Sequence, residues 1–142
     1  ISFRDLRLGT IEQVPSDQAG DVLVRDRHGH WTYQFAVAVD DLDQGVDLVV
    51  RGEDLLASTG RQIQLAGALG RKTAPLFLHH PLILRPDGRK LSKSNRDTGI
   101  RDLRAAGWSV ERVLGEAAAA LGLTRGEPAS MAELVRRLKE SA

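Results

Sequence analysis

The stretch VDLVVRGEDLLASTGRQIQLAGALGRKTAPLFLHHPLIL, residues 46–84, decides the fold class of this chain. It opens with VDLVV at 46–50, a short β-branched run bounded by Gly45 and Gly52. Such a run is typical of a strand that is buried in a parallel sheet. A second apolar run at 76–84 predicts another strand.

A helix is predicted between these two strands. Thr59 and Gln62 stand at capping-box spacing, and Gly70 follows the apolar positions as a terminator. The pattern therefore predicts a helix from about residue 59 to residue 69. Strand, helix and strand in this order form the unit of a parallel α/β sheet.

The segment before this unit predicts a hairpin. DVLVRD at 21–26 and HWTYQF at 30–35 are β-rich, and the turn between them contains Gly29, which can adopt the positive φ that hairpins need. AVAVDD at 36–41 is open to two interpretations. Its apolar residues alternate as in a strand, while its alanine content allows a short helix.

The end of the chain is predicted to be helical. VERVLGEAAAALGL at 110–123 and MAELVRRLKESA at 131–142 each have apolar residues at helical spacing, and 124–130 is predicted to be a loop. The two predicted apolar stripes consist of Val110, Val113, Leu114, Ala117 and Leu121, and of Met131, Leu134, Val135 and Leu138.

Length and composition are those of one ordinary globular domain. The chain has 142 residues, of which 42% are hydrophobic and 27% charged. Because the formal net charge is only +1, nucleic-acid binding would have to come from local basic patches. The absence of cysteine excludes disulfides and cysteine-based zinc sites, and the four histidines show no metal-ligand spacing, so no metal site is predicted.

A cytoplasmic location without membrane contact is expected. No run approaches the roughly 20 apolar residues that span a bilayer, and no signal peptide is recognised. The chain begins at Ile1 with sequence typical of the middle of a domain, which suggests a fragment.

A lysine-containing loop, DGRKLSKS at 87–94, follows directly after the second predicted strand. Open α/β sheets bind ligands at the carboxyl ends of their strands, and Lys90 and Lys93 could neutralise a polyphosphate there. A lysine that meets charge developing on pyrophosphate stabilises the transition state more than the ground state. The loop therefore suits nucleotidyl transfer, and the alternative is a solvated loop after an edge strand.

KLSKS at 90–94 resembles the KMSKS signature of class I aminoacyl-tRNA synthetases, with Leu91 in place of methionine. Residues 29–70 followed by 75–94 resemble, in order and spacing, the second half of the glutamyl-tRNA synthetase catalytic core. Within that group the similarity is greatest to the glutamyl-Q tRNA(Asp) synthetases, short paralogues that attach glutamate to queuosine in the anticodon of tRNA(Asp). The resemblance covers residues 20–95 well and the helical tail loosely.

The resemblance implies an α/β fold, the second half of a class I Rossmann-like catalytic domain with a parallel sheet, followed by a short helical region. It assigns 1–20 to the end of the connective insert, 21–94 to the catalytic core and 95–142 to a helical appendage. The HIGH-like motif and a zinc-bearing insert would lie before Ile1, so the chain would need the missing amino-terminal half of the same enzyme as its partner. Zinc is expected only in that half.

The resemblance also assigns two glutamate-binding residues, Tyr33 and Arg51. A guanidinium at a strand end can bind a carboxylate bidentately, and a phenol can add a directed hydrogen bond. The alternatives are a surface ion pair of Arg51 with Glu53 or Asp54, and a half-buried strand position for Tyr33.

For ATP, the resemblance implicates Lys93 as the main catalytic contact, with Lys90 and Ser92 in support. Asp54 and Leu55 are expected to border the nucleotide. ATP is expected to act with Mg²⁺.

Other conspicuous residues are predicted to have no chemical role. The pair His79 and His80 and the HGH at 28–30 differ from the HIGH signature, because the pair alternates across a strand and Gly29 lies in a turn. Asp40 and Asp41 are predicted to form a structural corner, since adjacent carboxylates without a third ligand seldom bind magnesium tightly.

The predicted function is ATP-dependent activation of L-glutamate and its transfer to queuosine of tRNA(Asp). One alternative is a fragment of an ordinary glutamyl-tRNA synthetase, and another is a non-catalytic nucleotide or tRNA binding module. The short stretch after Ser94 favours the short paralogue. Candidate tRNA backbone contacts, with solvated helix faces as the alternative, are Arg101, Arg104, Arg136, Arg137 and Lys139.

Overall fold

A computed structural model describes residues 1–84 and 99–141. The chain divides into two compact units, Ile1–His80 and Pro81–Ala142. The predicted lysine loop, with Lys90, Ser92 and Lys93, lies outside the described residues. The predicted domain boundaries at 20 and 94 stay predictions.

The first unit contains a four-stranded, mostly parallel sheet, which confirms the predicted α/β fold. Its order is β2-β1-β4-β3, in which β4 runs parallel to both of its neighbours and β1 and β2 are antiparallel. The strands are β1 (Ser2–Asp5), β2 (Gly9–Glu12), β3 (Leu48–Gly52) and β4 (Leu76–His80).

The helices of the first unit are α1 (Pro15–Ala19), α2 (Tyr33–Asp43) and α3 (Thr59–Ala68), with a 3-10 helix at Glu53–Ser58 that leads into α3. The predicted strand–helix–strand unit is therefore confirmed, although its second strand ends at His80. Gly70 has φ 103° and donates its N–H to Gly67 O at 3.0 Å, so it terminates α3 as predicted.

Two local predictions about this unit were wrong. The predicted capping box at the start of α3 is absent, since the residue before the helix is Ser58 and it makes no side-chain cap. The second half of the strand predicted at 30–35 belongs to α2, which begins at Tyr33, so the helical interpretation of AVAVDD was correct. Of the predicted hairpin, the turn with Gly29 at φ 83° and an isolated Arg25–Trp31 bridge are present.

The prediction that β3 is a buried strand also needs correction. Leu48 and Val50 are 41% and 59% exposed. The physical reason is that β3 lies at the edge of the described sheet, and these two residues alternate onto the same face.

The interior of the first unit combines a small aromatic core with buried polar side chains. Phe3 and Phe77 pack edge to face with ring centroids 5.3 Å apart. The buried polar residues of this unit are Asp5, Gln13, Ser58, Thr59, Gln62 and His79. Buried polar groups must be hydrogen-bonded, so these residues are expected to form specific networks.

The second unit contains three described helices, α4 (Ile100–Ala105), α5 (Val110–Ala120) and α6 (Met131–Ser141). The helices predicted over 110–123 and 131–142 are confirmed, with slightly shorter bounds. The predicted stripes are only partly buried, because the core consists of Ala118, Ala129 and Leu134, with Leu114 and Leu123 packed against it. None of the described helices is long and apolar enough to cross a membrane.

Candidate functional site

Arg51 lies at the carboxyl end of β3, directly opposite His79 of β4 in the parallel register. Its guanidinium donates three hydrogen bonds. Nε donates to His79 Nε2 at 3.0 Å, Nη2 donates to Thr59 Oγ1 at 2.8 Å, and Nη1 donates to Gln62 Oε1. The guanidinium carbon also lies over the Phe77 ring, 5.3 Å from its centroid.

His79 is completely buried and connects Arg51 to Asp5. Its Nδ1 lies 2.6 Å from Asp5 Oδ2, and its backbone N–H donates to the same oxygen at 3.0 Å. Both side chains of this pair are inaccessible to solvent. A continuous chain of hydrogen bonds therefore runs from Asp5 on β1 through β4 to Arg51 on β3.

Asp5 is held as a carboxylate by the turn that follows β1. The N–H groups of Arg7 and Leu8 both donate to Asp5 Oδ1 at 2.9 Å. Burial raises the pKa of Asp5, but the hydrogen bonds from the His79 side chain and from the backbone outweigh burial, so the pKa lies below its ordinary value.

A second network fixes the amide of Gln62. Its Nε2 donates to Gln34 Oε1 at 2.7 Å, and Gln34 Nε2 donates to Ser58 Oγ at 3.2 Å. The oxygen of Gln62 therefore faces Arg51. This network joins α2 to the start of α3 and completes the support of the guanidinium.

The three described acceptors of Arg51 are all neutral groups. The predicted alternative was an ion pair of Arg51 with Glu53 or Asp54. Its Glu53 part is wrong, because Glu53 pairs with Arg7 Nη2 at 2.6 Å, and its Asp54 part stays a prediction. Burial lowers the pKa of Arg51, while the electrostatic influence of Tyr33 and Asp41 raises it. Among the described residues, the three contacts use three of the five N–H groups of a guanidinium, so two remain there for a further acceptor.

Tyr33 is the first residue of α2 and is 56% exposed, so the alternative of a half-buried strand position is wrong. The electrostatic influence of Tyr33 favours the charged form of Arg51. A half-buried cation and an accessible phenol are each suited to binding a ligand carboxylate.

The predicted nucleotide-contacting residues are only partly described. Asp54 is exposed and Leu55 half-buried, and both lie in the 3-10 helix after β3. The lysine loop is outside the described residues, so its contacts with them stay predictions. No group of three or more side chains that could hold a metal ion is found in residues 1–84 and 99–141.

His79 and Asp5 are the residues that the sequence analysis missed. His79 was assigned no chemical role, yet it contacts Arg51 directly. The sequence did contain a signal for His79. Arg51 and His79 both lie near the carboxyl ends of two strands that were predicted to be parallel, and such residues lie side by side when the strands are neighbours. Asp5 had no such signal, since it lies 74 positions from His79 along the chain.

Two of the candidate tRNA-contacting residues are engaged in ion pairs on α6 and its surroundings. Arg136 Nη1 lies 2.8 Å from Glu140 Oε1, and Arg137 pairs with Glu133 at 2.8 Å and with Glu127 at 3.3 Å. These pairs favour the alternative, in which this surface is a solvated helix face.

Comparison with known proteins places this chain in a family. Residues 1–138 match the family model described as tRNA synthetases class I (E and Q), catalytic domain. A glutamyl-Q tRNA(Asp) synthetase of Xanthomonas campestris pv. campestris is 51% identical over 126 residues, covering 84% of this chain and 41% of that protein. The corresponding protein of Symbiobacterium thermophilum is 45% identical, covering 95% of this chain and 42% of its own.

More distant similarity extends to glutamate–tRNA ligases. The ligase of Synechococcus sp. strain JA-3-3Ab is 40% identical over 111 residues, which cover 78% of this chain and 23% of that protein. A solved glutamate tRNA ligase of Elizabethkingia meningosepticum, in complex with its amino acid, has a TM-score of 0.72 and 26% identity. It matches 96% of this chain and 31% of its own. The chain thus spans about two fifths of the first of these curated relatives.

Proposed function

Because the chain belongs to the catalytic-domain family of class I tRNA synthetases for glutamate and glutamine, we propose that the full-length protein activates L-glutamate with ATP and transfers it to tRNA(Asp). The family implies ATP as a substrate. The relatives with 45% to 51% identity are named glutamyl-Q tRNA(Asp) synthetases, which supports queuosine as the acceptor.

The observation that carries this proposal is the environment of Arg51. Its guanidinium is half-buried, is held by three side chains and has only neutral acceptors in the described residues. A positive charge held in this way favours a ligand that brings a carboxylate, because a charge-assisted bidentate pair is stronger than a neutral hydrogen bond. Tyr33 is the proposed second contact to glutamate.

The proposed reaction begins when a glutamate carboxylate oxygen attacks the α-phosphorus of ATP. The new phosphorus–oxygen bond gives glutamyl-adenylate, and the bond to the leaving pyrophosphate breaks. Lys93, supported by Lys90 and Ser92, is proposed to stabilise the charge on pyrophosphate, and Asp54 and Leu55 to border the nucleotide. Magnesium bound with ATP would neutralise part of the charge on the phosphates.

In the second step, a hydroxyl of the acceptor nucleoside attacks the activated carbonyl and releases AMP. The acceptor can be tested by enzymatic removal of the 3′-terminal adenosine from tRNA(Asp), which leaves queuosine intact. Labelled glutamate should be incorporated equally into trimmed and intact tRNA(Asp). The matched control is tRNA(Asp) with guanosine in place of queuosine, which should accept none.

The ordinary glutamate–tRNA ligase reaction predicts the opposite pattern. Incorporation would be lost on trimming, would not depend on queuosine, and would be strongest with tRNA(Glu). A protein that binds ATP and tRNA but shows neither incorporation nor glutamate-dependent pyrophosphate exchange would instead be a non-catalytic binding module.

A further inference from the structure

We propose that Asp5 and His79 are positioning residues, which fix the orientation of the Arg51 guanidinium by locking His79 in one tautomer. The inference deepens the proposed function, because it rests on Arg51 as the residue that binds glutamate. It assigns a role to two buried side chains that are remote from Arg51 in the sequence.

The tautomer follows from counting hydrogens. Nε of an arginine carries one hydrogen and accepts none, so His79 Nε2, at 3.0 Å, must be the acceptor. The ring hydrogen must then reside on Nδ1, which lies 2.6 Å from Asp5 Oδ2. An ionised carboxylate only accepts hydrogen bonds, so it selects this tautomer and excludes the other.

Hydrogen bonds to both of its oxygens fix the position of the Asp5 carboxylate. Its two oxygens accept from four N–H groups, those of Arg7 and Leu8 on one oxygen and the backbone and ring N–H groups of His79 on the other. An asparagine at this position would turn an NH₂ group toward two donors in either orientation. The carboxylate is therefore the group that satisfies both sides.

A fixed imidazole in turn fixes the guanidinium. Rotation of Arg51 about its terminal bonds would break the hydrogen bond from Nε to His79 and remove the guanidinium from the Phe77 ring. Thr59 Oγ1 accepts a hydrogen bond from Arg51 Nη2 and lies 3.2 Å from His79 Nε2, so it contacts both the guanidinium and the imidazole. Such rigidity means that less conformational freedom is lost when a ligand binds.

The first test is spectroscopic and requires no activity. In ¹⁵N-labelled protein at pH 7, the nitrogen shifts and ring correlations of His79, assigned by their loss in His79→Gln, should be those of a neutral ring with hydrogen on Nδ1. Asp5→Asn should shift the population toward the tautomer with hydrogen on Nε2. A wild-type ring that carries its hydrogen on Nε2, or on both nitrogens, would overturn the proposal.

The second test separates positioning from folding in the full-length enzyme. Asp5→Asn should raise the glutamate KM about tenfold or more in pyrophosphate exchange, with little change in the ATP KM. His79→Gln, whose Oε1 can accept from Arg51 Nε, should lose less than His79→Leu. Leu134→Ala, which disrupts the core of the second unit, is the control for destabilisation and should leave the glutamate KM unchanged.

The outcomes distinguish this inference from the proposed function. Equal loss for glutamate and ATP in Asp5→Asn, or equal loss in His79→Gln and His79→Leu, would contradict a positioning role. If Arg51→Ala leaves glutamate binding unchanged while His79 retains the Nδ1 hydrogen, the glutamate assignment fails and the orientation of Arg51 by His79 stands.

Discussion

At the scale of single residues, the positive charge of Arg51 stays available to a ligand because its partner Gln62 is neutral. Gln62 and Glu have nearly the same shape, but Gln62 presents an amide oxygen to the guanidinium where glutamate would present a carboxylate. The hydrogen bond from Gln62 to Gln34 holds that oxygen in place. A carboxylate at this position would pair with the positive charge of Arg51.

We therefore predict that Gln62→Glu weakens glutamate binding by about 10- to 100-fold, because the new carboxylate occupies the positive charge that the ligand would use. Isothermal titration with glutamate and, separately, with ATP measures the effect, and ATP affinity should change little. Gln64→Glu adds the same charge at an exposed position of α3 and serves as the matched control. Equal losses in the two variants would show that the effect is only long-range.

A second residue-scale prediction concerns Lys93, outside the described residues. Lys93→Ala should lower kcat of glutamate-dependent pyrophosphate exchange by roughly a hundredfold, since one charged transition-state contact contributes about 3 kcal/mol. The glutamate KM should change much less. Lys72→Ala, which removes an exposed lysine outside the signature, is the control. An unchanged exchange rate in Lys93→Ala would remove the catalytic interpretation of the loop.

At the scale of elements, Gly115 allows α5 to approach the loop that follows it. A Cβ at this position would lie 2.1 Å from Glu127 O and 2.8 Å from Glu127 C, so it would collide with backbone rather than with a movable side chain. The N–H of Ala129 donates to Glu111 O at 3.0 Å and fastens the same loop to α5. Alanine's higher helix propensity cannot compensate for such a clash.

Gly115→Ala should therefore lower the free energy of unfolding of the second unit by about 1–3 kcal/mol, in spite of a propensity gain near 1 kcal/mol. Urea denaturation followed by Trp108 fluorescence measures this change. The matched control is Gly67→Ala in α3, where an added Cβ meets no atom within 4 Å and the first unit should be as stable or slightly more stable. Unchanged stability of Gly115→Ala would mean that the loop moves away at little cost.

At the scale of the whole first unit, Asp5 ties β1 and the following turn to β4. Its pKa in the folded protein lies below the ordinary value of 3.8, so its stabilising effect is complete above that value and is lost as the pH falls through the lower, folded pKa. The net shift is opposite at Asp41, where burial raises the pKa above its ordinary value despite the positive charges of Arg51 and Arg71.

Accordingly, the difference in free energy of unfolding between wild type and Asp5→Asn should be largest near pH 6 and should shrink as the pH falls below about 4. Urea titrations between pH 3 and pH 6, followed by Trp31 fluorescence, measure it. Asp41→Asn is the control of opposite sign, since it should increase stability near neutral pH and lose this advantage in acid. A pH-independent difference for Asp5→Asn would contradict the ionised state of Asp5.

The sequence by itself determined the α/β class, the helices α3, α5 and α6, and the two parallel strands on either side of α3. These features follow from local periodicity and from turn residues such as Gly70, which act within a few positions of the chain. It also contained the family motifs, including Arg51 at its strand end. The strand predicted at 30–35 was wrong from Tyr33 onward, because a short alternating run fits the period of a helix as well as that of a strand.

Only the tertiary structure decided what surrounds Arg51. Asp5 and His79 are 74 positions apart and meet because β1 and β4 are neighbours in the sheet, a pairing that no local pattern specifies. Thr59 and Gln62 have the spacing of a capping box, but Arg51 occupies their oxygens once α3 packs beside β3. The spacing of residues along the chain shows which of them can share one face of a helix. Their hydrogen-bond partners depend on which buried donors lie within reach after folding.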